Sequence, residues 1–393
     1  MKKVKTSNLF VLLGRITTSW AVIPEIDGLR FLAIISVVIF HLRTNLLRTT
    51  PFKLSLGDFS QTIFDFISNG GFGVNVFFGI SGFILAIPFA KQHLESGRTV
   101  NLKSYYLRRL TRLEPPYIIT MTIFLFAIVL MQNKSFHDIL PNYFASLIYS
   151  HFFIYGEWSV INPVAWSLET EVQFYLLAPL FFLIFKVRDK NFRQAIIVMA
   201  MVIFTVLTFI FHDIFVKYHL YKSILVYLPY FTVGVLFADI YLIYLRNNVE
   251  KKSYIWDLIG IAATITMFSI NANNNPLSTM ISLVCVVLVF FTAFKGKLLN
   301  RFYTLKFIYT TGGMCYTIYL LHYAFIAVIM SFTSRIGSNG DFIINFMIQC
   351  VIILPLLFLV SSIFFVLFEK PFMYKDWPSR FSVFFGKLRS VKN

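Results

Sequence analysis

Between Glu25 and His41 an apolar run carries one arginine and one histidine, Arg30 and His41, eleven residues apart. On a helix turning about 100° and rising about 1.5 Å per residue, that spacing returns both to one face within about 20° and separates them by about 16.5 Å. Ionisable groups inside a membrane span are costly, and as a rule they face a protein interior or a wet cavity where they act. Arg30 and His41 are therefore expected to line one functional face at two depths.

Four further stretches carry polar groups in apolar surroundings. In Gly70 to Phe83 the glycines and Ser81 are small residues that let membrane helices approach closely. Close backbone approach also admits an extended ligand, with Asn75 and Ser81 as polar contacts along it. In Tyr105 to Tyr117, Arg108 and Arg112 are four apart and Arg109 and Arg112 three apart, so guanidiniums converge on a helix. Guanidinium forks suit phosphate recognition, and the alternative is a set of cytoplasmic charge anchors. Pro115 and Pro116 are expected to stop that arginine-bearing helix at the membrane boundary. In Trp166 to Tyr175, Ser167 and Glu171 share a helical face. Glu171 either acts directly or balances an arginine or histidine from another span. Last, Cys315 to Tyr323 places His322, read as an interhelical hydrogen bonder with a direct chemical role as the rival reading.

The elements that must position these groups are membrane helices. The chain has 393 residues, 58% of them hydrophobic and 13% charged, with a mean hydropathy of +0.73. A soluble protein of that length would need far more polar surface. The net charge of +17 is distributed as orientation signals, which argues against a nucleic-acid partner. Cys285, Cys315 and Cys350 all sit in apolar runs without paired spacing, so they read as small core residues, and no metal site is expected.

Ten apolar runs approach the roughly 20 residues a bilayer requires. They lie near 24–47, 70–90, 115–132, 164–185, 194–211, 223–245, 255–271, 278–294, 307–330 and 342–368. With the N-terminus inside, the inner segments hold 28 of the 35 Lys and Arg, as the positive-inside rule requires. The fold class is thus an all-α polytopic bundle of about ten transmembrane helices with both termini cytoplasmic. Residues 1–23, with Lys2, Lys3 and Lys5 ahead of Leu9 to Leu13, form a cytoplasmic interfacial segment rather than a signal peptide. Residues 24–370 form the membrane domain, and 371–393 a basic cytoplasmic tail. The outer loop 133–163, rich in aromatics such as Tyr143, His151 and Trp158, is either a partial lid or an interfacial aromatic belt.

Taken in order, these stretches resemble the acyltransferase-3 family of multi-span membrane acyltransferases, from about Glu25 to Pro371. The Arg-ten-His spacing at Arg30 and His41 is the most specific match. FFGISGF at 77–83, Arg109 and Arg112, WSLETEVQFY at 166–175, YLLH ending at His322 and Glu369-x-Pro371 are weaker ones. Val172 departs from the acidic or polar residue usual there. Some members append an extracytoplasmic esterase-like domain after the last span, and none is expected from this sequence.

The resemblance implies transfer of an acyl group, often acetyl, from cytoplasmic acetyl-CoA or another acyl-CoA to a hydroxyl of a carbohydrate or glycolipid acceptor. It implies a bacterial cytoplasmic membrane, with membrane lipids as surroundings; a surface polysaccharide is the expected acceptor. His41 would be the general base, since imidazole titrates near neutrality. Arg109 and Arg112, with Arg108 beside them, would hold the CoA phosphates. The pantetheine arm would thread towards His41 past Arg30, which either binds CoA or stabilises transition-state charge. A transporter or flippase of a lipid-linked or small solute is the alternative, weakened by the absence of two matching halves with broken helices.

Overall fold

The computed structural model of the chain describes residues 8–17, 22–49, 58–132, 134–246, 252–270, 275–336, 342–374 and 377. Lys2, Lys3, Lys5 and most of the basic tail 371–393 lie outside the described residues. Those described form helices and connecting turns, with no strand among them.

In chain order the helices are α1 (Asn8–Leu13), α2 (Pro24–Thr49), α3 (Asp58–Ser68), α4 (Gly73–Leu94), α5 (Leu102–Gln132), α6 (Phe136–Leu147), α7 (His151–Tyr155), α8 (Trp166–Phe181) and α9 (Lys190–Ile210). They continue with α10 (His212–Lys217), α11 (Ile224–Ile240), α12 (Tyr254–Ser269), α13 (Pro276–Lys295), α14 (Leu298–Tyr303), α15 (Lys306–Gly313), α16 (Cys315–Thr333) and α17 (Phe342–Phe364). Among the described residues, eight helical segments are long and apolar enough to cross a membrane. The protein is a polytopic all-helical membrane protein. The other two expected spans are helical as well: α2 has 26 residues and includes Glu25, Asp27, Arg30, Arg43 and Arg48, and α12 has 16.

Three boundaries differ from the expected ones. The 70–90 run belongs to a longer apolar segment, Gln61–Leu94. Pro115 and Pro116 do not stop a helix, because α5 runs unbroken from Leu102 to Gln132 through both. A proline withdraws one donor and crowds the carbonyl four residues back; here the flanking turns hold the helix together, so the arginine turn and the apolar span form one rod. The 307–330 run is broken instead of continuous: α15 ends at Gly313 and α16 starts at Cys315. Paired glycines weaken a helix at that point. Gly312 also presses against the backbone of α2, where a Cβ would run into the Asp27 carbonyl.

At the centre α4 packs along α11. The crossing is backbone against backbone: a Cβ on Gly82 would meet the Phe231 carbonyl, and one on Gly234 would meet the Gly79 carbonyl and the Phe83 amide. Small residues at such crossings are what permits close membrane-helix packing. Phe78, Phe174 and Phe231 fill the adjoining core, the last two stacked with centroids 4.0 Å apart. One buried ion pair ties α9 to α11: Arg193 Nη2 lies 2.6 Å from Asp239 Oδ1, and Gln194 Nε2 donates to Asp239 Oδ2 at 2.8 Å. Both pair members are essentially inaccessible, so removing one would leave an uncompensated charge.

Residues 134–163, the loop expected on the outer side, are folded onto the bundle. Tyr117 of α5 stacks on Tyr149 with centroids 4.8 Å apart and donates its hydroxyl to the Ser146 carbonyl at 2.9 Å. Glu169, buried at the start of α8, accepts the Phe152 amide at 3.0 Å. Phe144, Phe153, Tyr155 and Trp158 remain exposed, so the loop is pinned by its buried residues and shows aromatic faces outward.

Gly234→Val should lower the melting temperature of the detergent-purified protein far more than Gly71→Ala, whose Cβ would meet only the Phe40 ring at 3.9 Å. Overpacking costs about 1–3 kcal/mol or more where backbone cannot move. Equal melting curves for the two variants would mean that the α4–α11 crossing has slack.

Candidate active site

The N-terminal end of α2 is organised by one carboxylate. Asp27 Oδ1 is 2.6 Å from Arg30 Nη1, one turn along the helix, and Asp27 Oδ2 is 2.7 Å from Arg15 Nε. Asp27 is almost wholly buried, so it satisfies two guanidiniums at once and leaves a net positive charge. Arg15 lies in the segment before the span; burial, with Arg30 close by, pushes it down to about 10 although Asp27 opposes the shift. It remains charged at neutral pH.

Beside this cluster is a cavity of about 100 Å³ walled by five helices. Arg30 enters from α2, Arg109 and Arg112 from α5, Ser81 from α4, and Ser167, Glu171 and Tyr175 from α8. Cys315, Tyr316 and Tyr319 of α16 close the remaining side. Ser81 and Tyr175 both donate their hydroxyls to Glu171 Oε1. Tyr319 donates to the Val164 carbonyl and meets the Ser167 hydroxyl at 2.5 Å. The Arg109 guanidinium lies between the Tyr105 and Tyr175 rings, 5.9 and 5.8 Å from their centroids.

Arg109 and Arg112 make no ion pair among the described residues, and Arg109 Nε is buried without a partner. Donors left unmade at a buried guanidinium are costly, and an anionic ligand relieves that cost. Among the described residues no three His, Cys, Asp or Glu side chains gather to hold a metal ion.

Six of the eight residues singled out by sequence are accounted for by the cavity or its edge. Arg30, Ser81, Arg109, Arg112 and Glu171 line it. His41 stands one ring removed: its imidazole meets that of His322 with centroids 5.1 Å apart, and His322 in turn meets Tyr319 at 5.6 Å. Arg30 and His41 do face the same neighbour, since Arg30 shares the cavity with Cys315 and His41 packs on His322 two turns along α16. Between the cavity arginines and the imidazole, where a passage is expected, stand the Tyr319 and His322 rings. Tyr323 packs edge-on against His41 at 5.1 Å, and Arg48 donates to its hydroxyl at 3.2 Å.

Arg108 and Asn75 are placed elsewhere. Arg108 is exposed, about 100° round the helix from Arg109. Asn75 is buried beside Tyr230 of α11, because six residues from Ser81 put it about 240° away on α4.

Sequence reading placed none of Arg15, Asp27, Cys315, Tyr316, Tyr319 or Tyr175 in the site. Tyr175 had a usable signal, four residues after Glu171 on one face. Arg15 had none, because the contact that brings it to Asp27 is tertiary. Glu369 belongs with them: it is buried, accepts the amide and hydroxyl of Thr317 at 3.2 and 2.5 Å, and so caps the first turn of α16 under the cavity.

Comparison with known proteins bears on the family. Residues 23–368 match the acyltransferase-3 family, described as an acyltransferase domain. The O-acetyltransferase OatA of Staphylococcus aureus is 25% identical over 334 residues, which cover 79% of this chain and 51% of that protein. The peptidoglycan O-acetyltransferase OatA of Listeria monocytogenes is 29% identical over 184 residues, 43% of this chain and 25% of that protein. The chain spans about half the length of the Staphylococcus relative, or less of the Listeria one, and no solved structure matches it. With the match running from the first residues of α2 to the end of the bundle, this chain belongs to the acyltransferase-3 family.

Proposed function

We propose that this protein is an O-acyltransferase of the bacterial cytoplasmic membrane, moving an acyl group, acetyl by preference, from cytoplasmic acyl-CoA to a hydroxyl of an extracytoplasmic carbohydrate. The observation that carries this is the meeting of Arg30, Arg109 and Arg112 in one intramembrane cavity, the last two without ion partners. A thioester donor with an anionic phosphate end fits such a site, because guanidiniums bind phosphate oxygens through paired charge-assisted hydrogen bonds. The named relatives acetylate hydroxyls, one of them on peptidoglycan, which supports a surface glycan as acceptor.

In this reading His41 takes the proton of the acceptor hydroxyl as its oxygen attacks the thioester carbonyl. The tetrahedral intermediate collapses with cleavage of the carbon–sulfur bond, and the imidazolium returns the proton to the leaving thiolate, giving ester and free CoA. Arg30, anchored by Asp27, faces the negative charge that develops during attack. Arg109 and Arg112 hold the phosphates. Glu171, already accepting from Ser81 and Tyr175, fixes the α4 and α8 walls and balances Arg109 across the cavity. Donor and base meet where Tyr319 and His322 separate the cavity from His41, and the acceptor reaches the partly exposed His41 from the Tyr323 and Arg48 side.

The chain crosses the membrane ten times with both ends inside, α2 and α12 counting among the crossings. A phosphatase fused after Asn393 should be inactive and one inserted within 212–222 active; the reverse pattern would invert the topology and with it the side of the donor.

His41→Ala should cut acyl transfer by about 10²- to 10⁴-fold, the range of a lost general base, with normal amounts of protein in the membrane. Turnover near the wild-type rate would remove His41 from the chemistry. Arg109→Ala with Arg112→Ala should weaken acyl-CoA binding by about 10- to 100-fold, as expected for lost charged hydrogen bonds, while the acceptor KM stays nearly constant. If the acceptor constant moves and the donor constant does not, the arginines serve the acceptor.

A further inference from the structure

His322 is fully buried in α16 and its two ring nitrogens stand in different surroundings. Nδ1 lies 2.7 Å from the Tyr319 carbonyl oxygen and 3.2 Å from that of Ile318. Both partners only accept, so the proton of the neutral ring sits on Nδ1 and the lone pair on Nε2. That Nε2 is buried and meets no donor. The facing ring is His41, 5.1 Å away between centroids, and its Nδ1 is likewise buried without a partner. Two orphaned nitrogens on adjacent rings, one of them fixed as an acceptor, are complementary. No carboxylate lies within ion-pair distance of either ring among the described residues; Phe40 and Tyr323 also pack on His41, and the Tyr323 hydroxyl accepts from Arg48.

We propose that His322 is a positioning residue for His41. Its Nε2 accepts the Nδ1–H of His41, directly after a small ring rotation or across one water, and so holds His41 in the tautomer whose Nε2 is free to take a proton. Hydrogen bonds of this kind are often loose in unliganded enzymes and tighten when substrate binds. In serine hydrolases a buried carboxylate orients the imidazole in the same way; here a neutral imidazole does so, with its own Nδ1–H tied to α16 backbone. When His41 Nε2 takes the acceptor proton, the imidazolium keeps its Nδ1–H on His322, and the same Nε2 proton later goes to the CoA thiolate. His322 stays neutral throughout. The proposal rests on His41 being the base.

The test uses the full-length chain in nanodiscs with ¹⁵N-labelled imidazoles, the His41 signals being assigned by their loss in His41→Ala. In the wild type the His41 spectrum should show a protonated Nδ1 and a bare Nε2. His322→Phe and His322→Asn, which place no acceptor at the Nε2 position, should lower kcat by about 10- to 100-fold, as for other lost orienting partners, with the acyl-CoA KM within about twofold. His322→Gln, whose longer amide can present an oxygen there, should recover most of the rate.

Wild-type kcat in His322→Phe would overturn the proposal. So would a wild-type His41 protonated on Nε2 at rest, a measurement that needs no variant to fold. If His41→Ala is itself active, the base assignment fails as well; if it is inactive while His322→Phe turns over normally, only the role of His322 fails.

Discussion

A guanidinium in the interior of a membrane protein must find a carboxylate, an aromatic face or a ligand, because water is not there to solvate it. The site depends on how this chain meets that demand unevenly. Arg15 and Arg30 share Asp27. Arg109 has two tyrosine rings and Arg112 no ion partner among the described residues. The contrast with Arg193 is instructive, since its pairing with Asp239 and two backbone carbonyls at 2.5 and 3.2 Å is complete, and its work is to hold α9 on α11. Saturated charge is scaffold and unsaturated charge is available for an anion.

The scaffold explains why the unsaturated charges converge. Gly312 lets α15 press on the backbone at Asp27, and the break that follows turns the chain so that Cys315, Tyr316 and Tyr319 start α16 against the cavity. Glu369 caps that new N-terminus. On the far wall the glycine crossing of α4 and α11 fixes α4, and Ser81 on α4 joins Tyr175 on α8 through the Glu171 carboxylate. A broken helix near the site is also a feature of carriers, but no inverted or parallel repeat is read in the sequence to pair with it. The family match decides for the acyltransferase domain.

Periodicity and charge counting made most of this legible. Apolar length marked all eight membrane-length helical segments among the described residues, and the Ser167–Glu171 spacing correctly joined those two on the cavity wall. The arginine spacing was half right: a separation of three put Arg109 and Arg112 together, and Arg108 turned outward. The errors came where tertiary contacts override local rules. Two prolines look like a stop, yet flanking packing carried α5 through them; an apolar run looks continuous, yet two glycines under close contact with α2 broke it. The His41–His322 pair depends on a contact between elements far apart in sequence, and Arg15 meets Asp27 from outside its helix, so neither carries a helical spacing signal.

The two rings between the cavity and His41 are consistent with the proposed transfer across a membrane. A donor arriving from inside and an acceptor from outside require two access routes that end at the same carbonyl carbon. If those routes were joined by an open water column in the resting enzyme, protons and small ions would cross along it. The Tyr319 and His322 rings, both hydrogen-bonded to backbone carbonyls, stand between the cavity and His41. With the proposed chemistry, the group that blocks the passage also orients the base, so a reactive His41 and a sealed membrane follow from one side-chain arrangement. A carboxylate in the place of His322 could orient His41 equally well, but it would put a desolvated charge between the two rings. An imidazole whose Nδ1 is held by its own helix provides the acceptor without that charge.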